Sequence, residues 1–232
     1  MSDLTKYIDI EILKKYPRDD SDELQKKNLI DEPPMITAEL YPWKLEINGD
    51  VIRLLAADGK PVVTCVADSV TNTLNVLFDN QNIHSEDLRD DCCKCAGESF
   101  SCMIECRSYY DLAACIHGFM WLTADGYALP LTNMIGLDLA DVERIIARST
   151  TGVYRTGLAA PNEIKACFMN LLQSALEARP DATSIILRSE GDLYLNQIGN
   201  CIEDVMEKME PLVMANVLPG QEDHVRLDVW VF

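Results

Sequence analysis

The sequence predicts an α+β fold: an antiparallel, hairpin-rich meander sheet with about four helices packed on it, preceded by a charged N-terminal arm. Three observations carry this expectation. Asn-Gly and Asp-Gly pairs separate short apolar runs after Trp43, helical periodicity dominates the second half, and the run PRDDSDELQKKNLIDEPP (Pro17 to Pro34) is too charged to enter a core.

In chain order, residues 1–36 form the arm, closed by the pair Pro33 and Pro34. Within it Leu4, Ile8 and Ile12 keep a helical period, whereas Ile8, Ile10 and Ile12 alternate like a strand able to pair with another chain. Residues 37–232 are expected to be a single α+β domain. Its first strands are WKLEINGDVIRLL, KPVVTCVA and TLNVLFD, turning at Asn48-Gly49, at Asp58-Gly59 and near Thr71 and Asn72. A hairpin is expected over Gly118 to Thr132, turning at Asp125-Gly126, and a weaker one at Glu190-Gly191. The run SFSCMIECR alternates, so Phe100, Cys102, Ile104 and Cys106 share one face of a strand, and Ser108 with Asp111 then starts the helix YYDLAACIHG. Asp138 can cap LADVERIIARS, and Asn162 can cap EIKACFMNLLQSALEAR, in which Ile164, Phe168, either Leu171 or Leu172, and Ala175 share a face. A last helix is expected from Ile198 to Asn216, kinked at Pro211, before the closing strand HVRLDVWVF.

Charge sets the functional classes. The chain of 232 residues carries 38 Asp and Glu against 20 Lys and Arg, a formal net charge of -18. Such an excess disfavours direct contact with a nucleic-acid backbone or an anionic membrane, both of which need a basic footprint. It favours basic or nucleic-acid-binding proteins as partners. The start MSDLTKYIDIEILKK lacks a continuous apolar stretch, so a cytoplasmic location is expected. Nine cysteines, an odd number, fit reduced thiols better than a disulfide framework.

The sharpest chemical candidate is the cluster Cys92, Cys93, Cys95, Cys102 and Cys106. Cys92, Cys95, Cys102 and Cys106 have pair spacings that can hold zinc if a tight loop at Ala96 and Gly97 folds them together. As strand residues, Cys102 and Cys106 would stand about 13 Å apart at ~3.3 Å per residue, which favours packing over a shared ion. The expected cofactor is therefore none, with zinc as the alternative. His84-Ser85-Glu86 ahead of Cys92 and Cys95 mimics the zinc-deaminase signature, but Asp91 stands where that signature has proline and the two halves are too close. Gly152 to Gly157 has the glycine spacing of a phosphate-binding loop, yet Leu158 and Ala159 replace the Lys and Ser/Thr that such a loop requires. His84, His117 and His224 are scattered, with His117 placed before Gly118 at an expected helix C-terminus. No catalytic residues are assigned.

Three acidic clusters are the candidate partner-binding residues: Asp19, Asp20, Asp22 and Glu23 on the arm; Glu86, Asp87, Asp90 and Asp91 before the cysteines; and Glu203, Asp204, Glu207 and Glu210 on the kinked helix. The stretch YPWKLEINGDVIRLLAADGKPVV resembles a hairpin found in short phage proteins, and the resemblance implies no more than a phage or mobile-element origin. The expected function is that of a non-catalytic interaction protein, an adaptor or an inhibitor, occupying a basic surface on a partner and mimicking nucleic acid in one version. The alternatives are an enzyme using a zinc or thiol site, and a structural or virion subunit that forms homo-oligomers through the arm.

Overall fold

The computed structural model describes residues 36–40, 43–56, 58–79, 99–128, 133–135, 139–190, 195–203, 205, 208–216 and 224–232. The arm up to residue 35, the acidic run at Glu86 to Asp91, Cys92, Cys93 and Cys95 lie outside the described residues, as do Asp138, Asp204 and Glu207.

The first half is the expected meander. Strands β1 (Ile36–Leu40), β2 (Trp43–Asn48), β3 (Val51–Leu55), β4 (Pro61–Asp68), β5 (Thr73–Asp79) and β6 (Ser99–Cys106) lie side by side, each antiparallel to the next. Local chemistry makes the turns. Asn48 pairs with Val51, so the two-residue loop is Gly49-Asp50, one position later than the Asn-Gly pair suggests; Gly49 takes the required positive φ of 60°. Asp68 closes the β4–β5 turn, its Oδ1 accepting from the Val70 and Thr71 amides at 2.8 and 3.3 Å, and Asn72 adopts a φ of 54°. Alternation then puts Ile52, Leu54, Cys65, Val76, Phe78, Cys102, Ile104 and Cys106 on one buried face.

The second half is α/β in character, and here the antiparallel expectation is corrected to a mixed sheet. Helices α1 (Tyr109–Ala128) and α2 (Leu139–Ile146), with the short β7 (Asn133–Ile135) between them, lead to β8 (Thr151–Ala159), which lies parallel to β6. Helix α3 (Ile164–Ala178) follows. Strand β9 (Ser184–Glu190), helix α4 (Leu195–Ile202) and β10 (Glu210–Asn216) form a second parallel crossover, and β11 (Val225–Val231) inserts antiparallel between β8 and β9. The order across the sheet is β1-β2-β3-β4-β5-β6-β8-β11-β9-β10-β7.

Three expectations fail for identifiable reasons. The hairpin at Asp125-Gly126 is instead the end of α1, which runs straight through Gly118. Ala113, Ala114, Cys115, Ile116 and Phe119 in the first half of the helix are all buried, which anchors it on the sheet. The long kinked helix ends at Ile202, and Pro211 sits near the start of β10, where its fixed φ suits an extended chain. The hairpin at Glu190-Gly191 gives way to the β9–α4–β10 crossover. A smaller correction concerns α3, whose N-cap is Glu163 with no side-chain capping bond, although its buried stripe is the expected one, with Leu172 rather than Leu171 completing Ile164, Phe168 and Ala175.

Two cores result, one on each face. Helices α1 and α2 pack with Tyr154, Ile186, Trp230 and Phe232 and the inward face of the meander; α3 and α4 pack with Val153, Leu187, Leu227, Val229 and Val231. Because both faces of β11 are covered, Arg226-Asp228-Trp230 cannot form a solvated side as simple alternation suggests, and Asp228 and Trp230 are fully buried.

Candidate functional site

The polar centre of the described residues grows from β11. In sheet register Thr156 of β8, Asp228 of β11 and Arg188 of β9 form one row, and Tyr154, Trp230 and Ile186 form the next row on the same face. Row geometry therefore delivers three polar side chains to one point beneath α1. Tyr154 Oη donates to Asp228 Oδ1 at 2.6 Å, Thr156 Oγ1 donates to the same oxygen at 2.8 Å, and Arg188 Nη1 donates to Oδ2 at 2.6 Å. Arg226, two residues earlier on β11, adds its Nε at 3.2 Å and carries the cluster outward, its side chain 22% exposed.

Helix α1 closes the top. A Cβ on Gly118 would lie 2.8 Å from the Trp230 ring and 3.1 Å from Asp228 Oδ2, so the helix approaches only because residue 118 is glycine. His117 is accordingly a buried mid-helix residue, correcting its expected place at a helix end. Beside the cluster, the Cys115 thiol contacts Cys106 and the Trp230 indole, and Trp230 stacks obliquely on Tyr154 with centroids 4.9 Å apart.

The electrostatics fix the protonation states. Burial pushes the Asp228 carboxyl up, but the Arg226 and Arg188 guanidiniums and the Tyr154 and Thr156 hydroxyls outweigh it and hold the group below the usual carboxylate range. Burial and the Asp228 charge push Tyr154 well above an ordinary phenol. The carboxylate is thus ionised and accepts four bonds, while the phenol keeps its proton. A general base needs a lone pair open to substrate and a pKa near working pH, and Asp228 offers neither. Chemically the cluster is a charged pin that locks β8, β11 and β9 in register under α1.

On the opposite face Arg155 donates to the Tyr154 carbonyl at 2.7 Å and to Ser174 Oγ of α3 at 3.2 Å. Arg179, just past α3, bonds Thr151.

The sites predicted from sequence are not gathered into one place. Cys102 and Cys106 are on the inward face of β6, with Ile104 between them, at the strand spacing of about 13 Å. Burial pushes the Cys102 thiol up to about 12, and Cys65 likewise. Among the described residues no three His, Cys, Asp or Glu side chains form a metal-ligand set. Gly152 to Gly157 lies within β8 and forms no loop. Of the third acidic cluster, Glu203 is exposed beyond α4, whereas Glu210 opens β10 and is held by Arg144 at 3.0 Å and Arg148 at 2.9 Å; the two do not share a helix face. Sequence reasoning missed Arg188, Tyr154 and Asp228 as a unit. The signal available was a charge in the middle of each of two apolar strands, ILRSE and VRLDVWV.

No known protein family matches the chain, and no curated protein matches it. Among solved structures, a mutant FtsZ of M. jannaschii superposes with a TM-score of 0.42 and 19% identity, covering 52% of this chain and 37% of that one.

Proposed function

We propose that this protein is a non-catalytic acidic interaction protein, an adaptor or inhibitor, that binds a basic surface on a partner protein, its carboxylates occupying positions that nucleic-acid phosphates otherwise fill. One observation carries this reading: 38 Asp and Glu stand against 20 Lys and Arg, a formal net charge of -18. Every described arginine is engaged with its own chain. Arg53 meets Glu46, Arg107 meets Asp111, Arg144 and Arg148 meet Glu210, Arg188 and Arg226 meet Asp228, while Arg155 and Arg179 bond Ser174 and Thr151. Asp50, Glu105, Glu163, Glu177, Asp181 and Glu203 are exposed. A surface of this sign raises the rate of encounter with a cationic partner, an effect that salt screens. Among the described residues no helix is long and apolar enough to cross a membrane.

The test is capture of partners from a bacterial lysate at low salt, with elution by rising salt. The expected result is one stoichiometric protein with a basic, nucleic-acid-facing surface, released steeply as salt increases. Complexes indifferent to salt, or turnover of metabolites by the purified protein, would overturn the reading. Stoichiometric zinc in the purified protein would favour the thiol-site enzyme instead.

A further inference from the structure

Antiparallel strands with one face towards water normally carry polar side chains on it. The outer face of the meander departs from that rule. Val66 of β4, Leu77 of β5 and Met103 of β6 alternate with the buried positions of their strands and are 42%, 44% and 42% exposed. Register makes them neighbours. Val66, Asn75 and Met103 form one row and Thr64, Leu77 and Ser101 the next, so Leu77 lies diagonal to both other apolar side chains. Adjoining exposed apolar groups of this kind mark contact surfaces.

Two features say what covers them. The first is the helix layer. Glu105 of β6 pairs with Val153 of β8, so the outer face of the meander is the one that α3 and α4 cover over β8, β11 and β9. Among the described residues that covering core holds no side chain of β3 to β6, and the layer stops at β8. Strands β4, β5 and β6 are each paired along both edges, which excludes an added strand. A helix resting on side chains is the element that continues the layer.

The second feature is charge. The row next to Met103 is Asp68, Thr73 and Glu105, which sets its two acids about 10 Å apart at ~4.8 Å per strand. Glu105 is exposed, and bonds from the Val70 amide and from Thr71 hold the Asp68 carboxyl below the usual carboxylate range, so it stays ionised. Asp79 ends β5 about 20 Å from that row at ~3.3 Å per residue, accepting from Ser99 Oγ. The neighbouring bases are engaged: Arg53 with Glu46 at 2.7 Å, Arg107 with Asp111 at 3.4 Å, and Arg179 with Thr151. A second copy would set these acids against their own kind, whereas lysines and arginines complement them.

We infer that the outer face of β4, β5 and β6 docks an amphipathic helix of the partner protein, its apolar stripe on Val66, Leu77 and Met103 and its basic residues against Asp68 and Glu105. This rests on the reading that the partner is basic, and adds the surface and the element by which it binds. A helix of about fourteen residues spans roughly 21 Å at ~1.5 Å per residue, the length of the face from the Asp68 row to Asp79.

The probe is a synthetic helical peptide of that length, with leucines along one face and lysines on the other, titrated against the full chain at low salt by fluorescence anisotropy. Leu77→Arg is expected to weaken binding about tenfold or more. Tyr110→Arg adds the same charge on α1, across the sheet, at a residue 64% exposed, and is expected to change binding by less than about twofold. Met103→Arg gives the same readout as Leu77→Arg should that variant not fold. No binding by wild type, or equal affinities for Leu77→Arg and Tyr110→Arg, would overturn the inference. So would self-association by light scattering that Leu77→Arg abolishes while peptide affinity is unchanged, which identifies a second copy as the occupant. The proposed function is read separately, by the lysate capture, and stands if a basic partner binds there with an affinity that Leu77→Arg leaves intact.

Discussion

Asp228→Ala is expected to destabilise the fold by about 3–5 kcal/mol, read as a lowered urea midpoint with an unchanged slope. The loss comes less from one missing attraction than from what remains. Arg188 is fully buried and Arg226 largely so, and both would keep their charge without the carboxylate they now share at 2.6 and 3.2 Å. Tyr154 and Thr156 would lose their common acceptor. Pairing Arg188→Met with Asp228→Leu is expected to recover much of the loss, because a buried ion pair is often replaceable by apolar side chains of similar volume. The pH dependence has a definite sign. Asp228 is held below its unfolded value, so its contribution is complete above the unfolded carboxylate pKa of about 3.9 and disappears as pH falls through the lower folded value. Wild type and Asp228→Ala should therefore differ by a constant amount at pH 7 and 5, and the gap should narrow once the pH falls below the unfolded carboxylate value of about 3.9. A gap that widens on acidification would show that Asp228 is not the ionised centre of the cluster.

Trp230→Ala is expected to cost a similar amount, about 3–5 kcal/mol, by a different route. The indole is fully buried, leans on the Tyr154 ring and fills the space that Gly118 leaves under α1. Its removal opens a cavity at the junction of helix and sheet that main-chain contact between α1 and β11 cannot close, since both are fixed by their own hydrogen bonds. The midpoint of urea unfolding, followed by circular dichroism, should fall. A variant as stable as wild type would mean that α1 settles onto β11 and that Gly118 sets no close approach.

How much of this was legible follows from where information is local. The meander was readable because Gly49, Asp58-Gly59 and Asn72 are turn devices acting over four or five residues, and because strands such as β5 and β6 expose one face and so alternate. The start of α1 was readable too: the Asp111 amide donates to Ser108 Oγ at 3.1 Å, the cap its sequence suggests. Legibility failed where burial is two-sided. Val225 to Val231 reads as a half-solvated strand, but covering both faces turns its charged alternate positions into a buried cluster. Asp125-Gly126 and Pro211 misled for a related reason, since tertiary packing decides whether a turn-prone pair or a proline ends an element or lies within one. Apart from Arg226 on the same strand, the partners of Asp228 lie 40, 72 and 74 residues away, and no spacing rule within one strand connects them. The acidic clusters were visible as composition, yet the pairing of Glu210 with Arg144 and Arg148 depends on a strand the sequence did not announce.

The central claim, that carboxylates carry the binding, is tested most directly by measuring the affinity of the captured partner against salt concentration for wild type and for a chain with Asp19→Asn, Asp20→Asn, Asp22→Asn and Glu23→Gln. The expected result is an association rate at low salt reduced about tenfold or more, with a shallower dependence on salt, while folding is unchanged. An identical affinity and an identical salt slope for the two proteins would contradict it.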